Sequence, residues 1–294
     1  MPAGYGLSGV QGAWPVTVTV LLVVLLGAFL HASWNLLVKA GHNTRLTTAA
    51  VYGGAGVIAL FLLPFLPSPA RPSWPYIGAA TVVEVIYGVL LAAAYRVGDL
   101  SHAYPLMRGT APLLVAIGSG ALIGEHLSPA VWCGVALVSG GIFSMIADAR
   151  SRGHSPLATR LALINGLVIA TYTTLDGIGV RLSRAPVTYS LWLSVLVGIP
   201  WLVWAVRWGG AHCWATVRRH LTPAVLGGFG SVASYTLALW AMTRAPVAAV
   251  AAVRESSIVF GTVLGAIVLR ERVTWVRSLA AVAILLGVWS IRAG

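Results

Sequence analysis

The sequence predicts an all-helical polytopic membrane protein, with ten transmembrane helices arranged as two inverted five-helix repeats around a central cavity. Three observations support this prediction: the composition, ten long apolar stretches, and a duplication within the chain. Of 294 residues, 58% are hydrophobic and only 9% are charged, whereas soluble domains have about 45–50% and about 25%. So few charged side chains cannot cover a soluble protein of this size, and a mean hydropathy of +0.88 fits a lipid environment.

The length of the apolar stretches matches the thickness of a membrane. A helix needs about 20 apolar residues to cross the hydrocarbon core, and inside lipid it satisfies its own backbone hydrogen bonds. Ten stretches meet this length, and most of the connections between them are short, so consecutive helices should be antiparallel neighbours. The stretches are 16–38, 46–66, 74–97, 101–123, 129–147, 157–180, 187–206, 221–242, 246–269 and 273–291.

The second half of the chain repeats the first at an offset of 146 residues. This offset places Arg108 on Arg254 and aligns spans three to five with spans eight to ten without a gap. Residues 1–150 and 151–294 are therefore predicted to be two domains of five helices each. Because five is an odd number, the second copy must enter the membrane upside down. This architecture is typical of transporters with a site between the two halves.

The net charge of +12 has a positional explanation. The arginines are spread between apolar stretches and form no basic face, so we expect no nucleic-acid partner. Five Lys or Arg residues lie on the membrane side of the two termini and twelve on the other side. Basic loops concentrate on the cytoplasmic side of a membrane. Both termini are therefore predicted to lie on the outer side of the cell (inner or plasma) membrane.

The sequence contains no convincing motif for catalysis or cofactor binding, so it does not support an enzymatic function. The segment GYGLSG (4–9) matches a dinucleotide fingerprint in letters, but it follows no strand and opens no βαβ unit. The sequence has no zinc-protease helix motif, no nucleophile elbow and no Walker A loop, and its histidines have no zinc-ligand spacing. We therefore expect no cofactor, no metal and no ATP hydrolysis.

Ionisable side chains inside apolar spans are costly, at about 2.5–3.5 kcal/mol or more each, and are candidate functional residues. Glu84, Arg108 and Arg254 lie well inside spans three, four and nine. Because the halves are inverted, the two arginines should approach the centre from opposite sides. They either hold a ligand or neutralise Glu84, Asp176 and Glu255 in buried ion pairs, and both interpretations stay open.

A second polar patch comes from the first helix of each half. His31 and Asn35 are one turn apart and share a face, and an offset of 141 aligns them with Tyr172 and Asp176. These four side chains are expected either to line the cavity or to form hydrogen bonds between helices. Aromatic residues that could form walls for a cation or an apolar group, or could pack the core, are Tyr87, Tyr104, Tyr235 and Trp240.

Three glutamates are predicted to have structural or gating roles. Glu125 and Glu271 directly follow spans four and nine at duplicated positions, which favours capping or tethering of a loop over contact with substrate. Glu255 follows Arg254, and successive helical residues point about 100° apart. We therefore expect Arg254 to face the cavity, while Glu255 contacts a neighbouring helix or the cavity rim. Ser128 and Pro129 are typical of a helix start.

Several segments together resemble the ten-helix EamA-type branch of the drug/metabolite transporter superfamily, and the resemblance covers nearly the whole chain. It implies two inverted five-helix repeats around a central cavity, and transport of small metabolites or export of amino acids and drugs. The segments are HASWNLLVKAG (31–41), AYRVGDLSHAYPLMRGTAPLL (94–114), GEHLS (124–128), YTTLDGIGVR (172–181), LWAMTRAPVAAVAAVRESS (239–257) and LRERV (269–273).

Taken together, these observations predict a secondary transporter or exporter, and not an enzyme, in the inner or plasma membrane. Its expected cargo is a small polar metabolite, amino-acid-like or zwitterionic, moved by alternating access and coupled, if at all, to a proton or another ion. Two buried arginines beside three buried acids suit a ligand that bears both charges. Two alternatives remain: a membrane-embedded enzyme acting on a lipid-linked substrate, and a passive channel.

Overall fold

The structure is a computed structural model that describes residues 16–40, 44–97, 100–148, 155–209 and 221–294. The glycine-rich segment 4–9 lies outside these residues. So do four of the basic residues that enter the prediction of membrane orientation: Arg150, Arg152, Arg218 and Arg219.

The described residues form helices joined by short turns, and nine of their helical segments are long and apolar enough to cross a membrane. The helices are α1 (Val18–Ala40), α2 (Thr44–Leu62), α3 (Trp74–Val97), α4 (Leu100–Ile123), α5 (Pro129–Ser144), α6 (Pro156–Ser183), α7 (Pro186–Gly209), α8 (Gly228–Met242), α9 (Val247–Arg254), α10 (Ser257–Val268) and α11 (Trp275–Ala293). The prediction of an all-helical polytopic membrane protein is confirmed.

Three of the ten predicted spans differ from a simple transmembrane α-helix. Span eight contains the π-helical segment Pro223–Gly227 directly before α8. Span five is the α5 helix of 16 residues, extended by the 3₁₀ turn Met145–Asp148. It begins as predicted, because the Ser128 hydroxyl accepts a hydrogen bond from the Val131 amide at 3.2 Å and Pro129 is the first helical residue. Span nine is interrupted, and α9 and α10 together cover Val247–Val268.

Helix packing relates the two halves by an approximate two-fold axis. The equivalent helices α2 and α7 pack against each other, and so do α5 and α11. The remaining large contacts occur in symmetry-related pairs. The contact of α3 with α6 corresponds to that of α8 with α1, and the contact of α4 with α6 corresponds to those of α9 and α10 with α1. A duplicated five-helix unit would produce this pattern, although the domain bounds 1–150 and 151–294 remain a prediction.

Close backbone approaches occur where equivalent helices meet on this axis. A Cβ atom on Gly56 of α2 would lie 3.2 Å from the Ser194 carbonyl oxygen, and one on Gly198 of α7 would lie 2.9 Å from the Tyr52 carbonyl oxygen. Tyr52 and Ser194 are equivalent positions at an offset of 142, as Gly56 and Gly198 are. Small residues here let the two halves approach closely in lipid, where packing drives helix association.

Candidate functional site

A pocket lies between α4, α6 and α9, and therefore between the two halves of the chain. Its wall combines apolar side chains with two arginines and one glutamate. The lining residues are Arg108, Ala111, Pro112, Val115, Ile169, Tyr172, Thr173, Ala251, Arg254 and Glu255.

The interruption between α9 and α10 is part of the pocket wall. Arg254 ends α9, and the amides of Glu255 and Ser256 donate to carbonyl oxygens only three residues back, at 3.1 and 3.0 Å. Arg254-Glu255-Ser256-Ser257 is a polar run within an apolar span, and serine side chains compete with helical hydrogen bonds. Glu255 and Ser256 keep right-handed helical dihedrals, so the span tightens for one turn without unwinding, and such a 3₁₀ turn inside a helix often marks a functional position.

Arg108 of α4 and Glu255 form a buried bidentate ion pair across the two halves. The distances are 3.0 Å from Arg108 Nε to Glu255 Oε2 and 2.8 Å from Arg108 Nη2 to Glu255 Oε1. Two parallel charge-assisted hydrogen bonds are the strongest geometry available to a guanidinium and a carboxylate. One of the two duplicated arginines is thereby neutralised by a glutamate that the first half lacks, since Glu255 corresponds to Gly109.

Arg254 is placed differently. Its guanidinium carbon lies 5.3 Å from the centre of the Tyr235 ring, a cation–π distance. Among the described residues, Lys39, Arg108 and Arg181 have ion-pair partners, whereas Arg254 has none. Arg254 lines the pocket without a carboxylate of the described residues in ion-pair contact, so its guanidinium can receive the anionic group of a ligand.

Two carboxyl groups meet at a single tyrosine near Arg254. The Tyr235 hydroxyl lies 2.9 Å from Glu84 Oε1 and also contacts Asp176 Oδ2, while the Tyr189 hydroxyl donates to Asp176 Oδ1 at 3.1 Å. A hydroxyl group has only one hydrogen and can donate to only one of the two carboxyl groups. The other contact is a hydrogen bond only when that carboxyl oxygen carries a proton, so this geometry can accommodate one proton shared by Glu84 and Asp176.

The remaining predicted site residues divide into those near the pocket and those away from it. Tyr172 lines the pocket and packs edge-to-face on Tyr87, with ring centres 6.0 Å apart. His31 packs against Trp34, with ring centres 5.1 Å apart. Asn35 is exposed, and its side chain donates to the His31 carbonyl oxygen at 2.7 Å.

The first helices of the two halves therefore differ more than the sequence alignment suggests. Asp176 is fully buried in a hydrogen-bond network, whereas its equivalent Asn35 satisfies itself on its own helix. Neither Asn35 nor Trp240 is among the residues that line the pocket. The Arg244 guanidinium lies over the Trp240 ring at 4.1 Å, close to the end of α8.

Glu125 joins three helix ends at the membrane face where the described chain begins and ends, here called the terminal face. Its two carboxylate oxygens each lie 3.0 Å from the Val247 amide, the first of α9. Its Oε1 also accepts from Arg181 Nη2 at 2.6 Å. Arg181 further donates to the carbonyl oxygens of Met242 and Ala245, at 2.8 and 3.0 Å. Glu125 therefore caps a helix start, where a negative charge is favourable.

Glu271, the duplicate of Glu125, lies at the opposite face. It forms an ion pair with Lys39 at 2.5 Å. Both glutamates follow a residue in the left-handed region, Gly124 with φ 76° and Arg270 with φ 54°. In both, the amide donates back to a helix carbonyl, that of Ser119 or Gly265.

Sequence reasoning did not identify Lys39, Arg181 or Tyr189 as site residues. A signal for the first two was present, because at the offset of 141 Arg181 aligns with position 40, next to Lys39. Tyr189 gave no such signal, because an isolated tyrosine in an apolar span looks the same whether it packs or donates a hydrogen bond.

Together the fold and the pocket define a polytopic membrane protein with a buried charged site between two related halves. Residues 157–293 match the model of the EamA-like transporter family, so the second half of the chain bears out the predicted resemblance to the drug/metabolite transporter superfamily. Members of this family are transporters, in agreement with the prediction that the protein is not an enzyme.

One solved crystal structure has the same fold. It superposes on 92% of this chain and 97% of its own with a TM-score of 0.73, at 18% sequence identity. No curated protein matches the sequence significantly.

Proposed function

We propose that the protein is a secondary transporter of small zwitterionic, amino-acid-like metabolites, which it moves by alternating access through the pocket between its halves. The observation that carries this proposal is the contrast between the duplicated arginines. Arg108 is neutralised by Glu255, whereas Arg254 lines the same pocket without an acid partner among the described residues. A ligand carboxylate could bind the Arg254 guanidinium directly, because the planar fork of a guanidinium suits a carboxylate.

The cationic end of the ligand has a complementary site close by. Tyr235 lies under Arg254 and contacts both Glu84 and Asp176, so an ammonium group could replace the shared proton there. Entry of the cation and loss of the proton would then compete for the same carboxyl groups. This competition couples the ligand to a proton without ATP.

Apolar residues complete the pocket and limit the size of the cargo. Ala111, Val115 and Ile169 line it beside the charged groups. The proposed cargo is a small metabolite of amino-acid size. The proposed location is the inner or plasma membrane, with both termini outside.

Transport in proteoliposomes tests the function. Purified protein should take up a radiolabelled amino acid, chosen from a thermal-shift screen of zwitterionic metabolites, with saturation and with counterflow against unlabelled ligand. Recovery of the label in a chemically altered form would instead indicate an enzyme. Uptake without saturation or counterflow would indicate a channel.

A matched pair of ligands tests the role of Arg254. The amide or ester of the best ligand keeps the ammonium group and lacks the carboxylate, so its binding should be much weaker. Equal binding of ligand and amide would contradict the assignment of Arg254 to the anionic group.

A further inference from the structure

The ion pairs Glu125–Arg181 and Lys39–Glu271 are two-fold mates at opposite membrane faces, but they are not equivalent in this structure. Side-chain exposure is 14% for Arg181 and 4% for Glu125, against 60% for Lys39 and 33% for Glu271. The first pair also holds the backbone at the start of α9 and the end of α8. The terminal face is therefore tied together through buried contacts, whereas at the equivalent place on the opposite face the described residues form an exposed ion pair.

Helix packing shows the same difference independently. At the terminal face α6 packs against α8 and α9, and α5 packs against α9. The mates of these contacts are α1 with α3, α1 with α4, and α11 with α4, and none of them is among the closely packed helix pairs of the described residues. The two observations agree that the structure is closed at the terminal face and looser at the opposite face.

We infer that Glu125 and Glu271 are alternating gates, each closing one face of the pocket while the other is released. In the second state Glu271 caps the start of α4, as Glu125 now caps the start of α9. Lys39 then takes the bridging position that Arg181 holds here. The inference rests on the alternating access of the proposed function and names the side chains that decide which face is closed.

The geometry explains why the gates exclude each other. α4 contains Arg108 and is followed by Glu125, and α9–α10 contain Glu255 and are followed by Glu271. Each of these spans therefore has a cap-receiving end at one face and a capping glutamate at the other. With the two spans joined by the Arg108–Glu255 ion pair, a tilt that brings Glu271 to α4 withdraws Glu125 from α9.

Cysteine labelling tests the gates without any substrate. Ala251→Cys places a thiol in the pocket wall, in a chain whose two native cysteines are replaced by serine. A membrane-impermeant maleimide is applied to vesicles of either orientation. Glu125→Gln should raise the labelling rate from the terminal face about tenfold, the effect of losing about 1.4 kcal/mol of gate closure. Glu271→Gln should lower it, because the state closed at the opposite face is no longer favoured.

Opposite shifts in the two variants support the gates, and Glu125→Asp, which keeps the charge, should restore most of the wild-type rate. Unchanged labelling in both variants, or shifts in the same direction, would overturn the inference and leave the glutamates as helix caps. If Ala251→Cys does not fold, Thr173→Cys offers a second thiol in the same wall. If the labelling rates of the two variants shift in opposite directions but the protein transports nothing, the gates are supported and the proposed function is contradicted.

Discussion

Arg108 and Glu255, 147 positions apart, form two parallel hydrogen bonds of 2.8 and 3.0 Å between spans four and nine. The pair joins the two halves of the chain at the interruption between α9 and α10. Burial of both side chains means that the pair stabilises the protein only as long as both partners are present.

Removing one partner of this pair should therefore be strongly destabilising. Glu255→Gln and Arg108→Met are each expected to cost about 3–5 kcal/mol, because each leaves a buried uncompensated charge or polar group. The thermal unfolding temperature of the purified protein measures this cost. The double variant should recover part of the loss. Two additive single effects would contradict a direct interaction.

Arg254→Lys should keep the fold and weaken ligand binding by about tenfold, since a point charge cannot reproduce the two-pronged contact of a guanidinium with a carboxylate. Arg108→Lys is the matched control at the duplicated position, and it should lower the unfolding temperature because it loses the bidentate pair. Ligand affinity is compared in the two variants at a temperature at which both are fully folded. Unchanged affinity in Arg254→Lys would make this arginine part of the scaffold.

Glu84→Gln should make transport insensitive to pH, and it should weaken ligand binding because the ammonium group loses one of its two proposed carboxylate partners. A glutamine amide donates a hydrogen bond to the Tyr235 oxygen as a protonated carboxyl does, so the variant imitates the protonated state permanently. Uptake rates between pH 5 and pH 8 test this outcome. Asp176→Asn is the control, and it should also lose stability because Asp176 holds Tyr189 as well. If Glu84→Gln keeps both the wild-type pH dependence and the wild-type stability, Glu84 is neither the proton-coupling group nor a structural partner of a buried arginine.

Gly134→Ala should destabilise the contact between α5 and α11 by about 1–3 kcal/mol, the usual cost of overpacking. A Cβ atom there would lie 2.6 Å from the Gly287 carbonyl oxygen. Gly140→Ala on the same helix is the matched control, because nothing lies within 4 Å of its added Cβ atom. Thermal unfolding should separate the two variants, and equal unfolding temperatures would disagree with this close approach.

A GFP domain fused to Gly294 should stay dark if both termini lie outside, because exported GFP does not mature to fluorescence. A second fusion, truncated after Arg207 on the opposite face, should fluoresce. Bright cytoplasmic fluorescence of the full-length fusion would reverse the orientation that the distribution of basic residues predicts.

The all-helical membrane class and the charged residues inside the spans could be predicted from the sequence, because both are properties of composition and of single positions. The choice of partner for each charge could not. Arg108 could have neutralised Glu84, Asp176 or Glu255, and only the lateral placement of α9 against α4 selects Glu255. The placement of Trp240 under Arg244 likewise depends on how a helix end is packed.

Divergence between the halves also had to be read from the structure. The alignment of Asn35 with Asp176 suggested a symmetric patch, yet only Asp176 joins the buried network, because Tyr235 and Tyr189 lie beside it. Neither tyrosine has a tyrosine at the corresponding position of the first half: the offset of 146 aligns Tyr235 with Val89, and that of 142 aligns Tyr189 with Thr47.

The single hydrogen of the Tyr235 hydroxyl affects how much charge a transport cycle would move across the membrane. Two guanidinium groups share this region with three carboxyl groups, so the region is neutral once Glu84 and Asp176 hold one proton between them. A zwitterion exchanged for that proton would move one elementary charge across the membrane per cycle. Membrane voltage would then contribute about 2.3 kcal/mol per 100 mV to the transport work, in addition to the pH gradient.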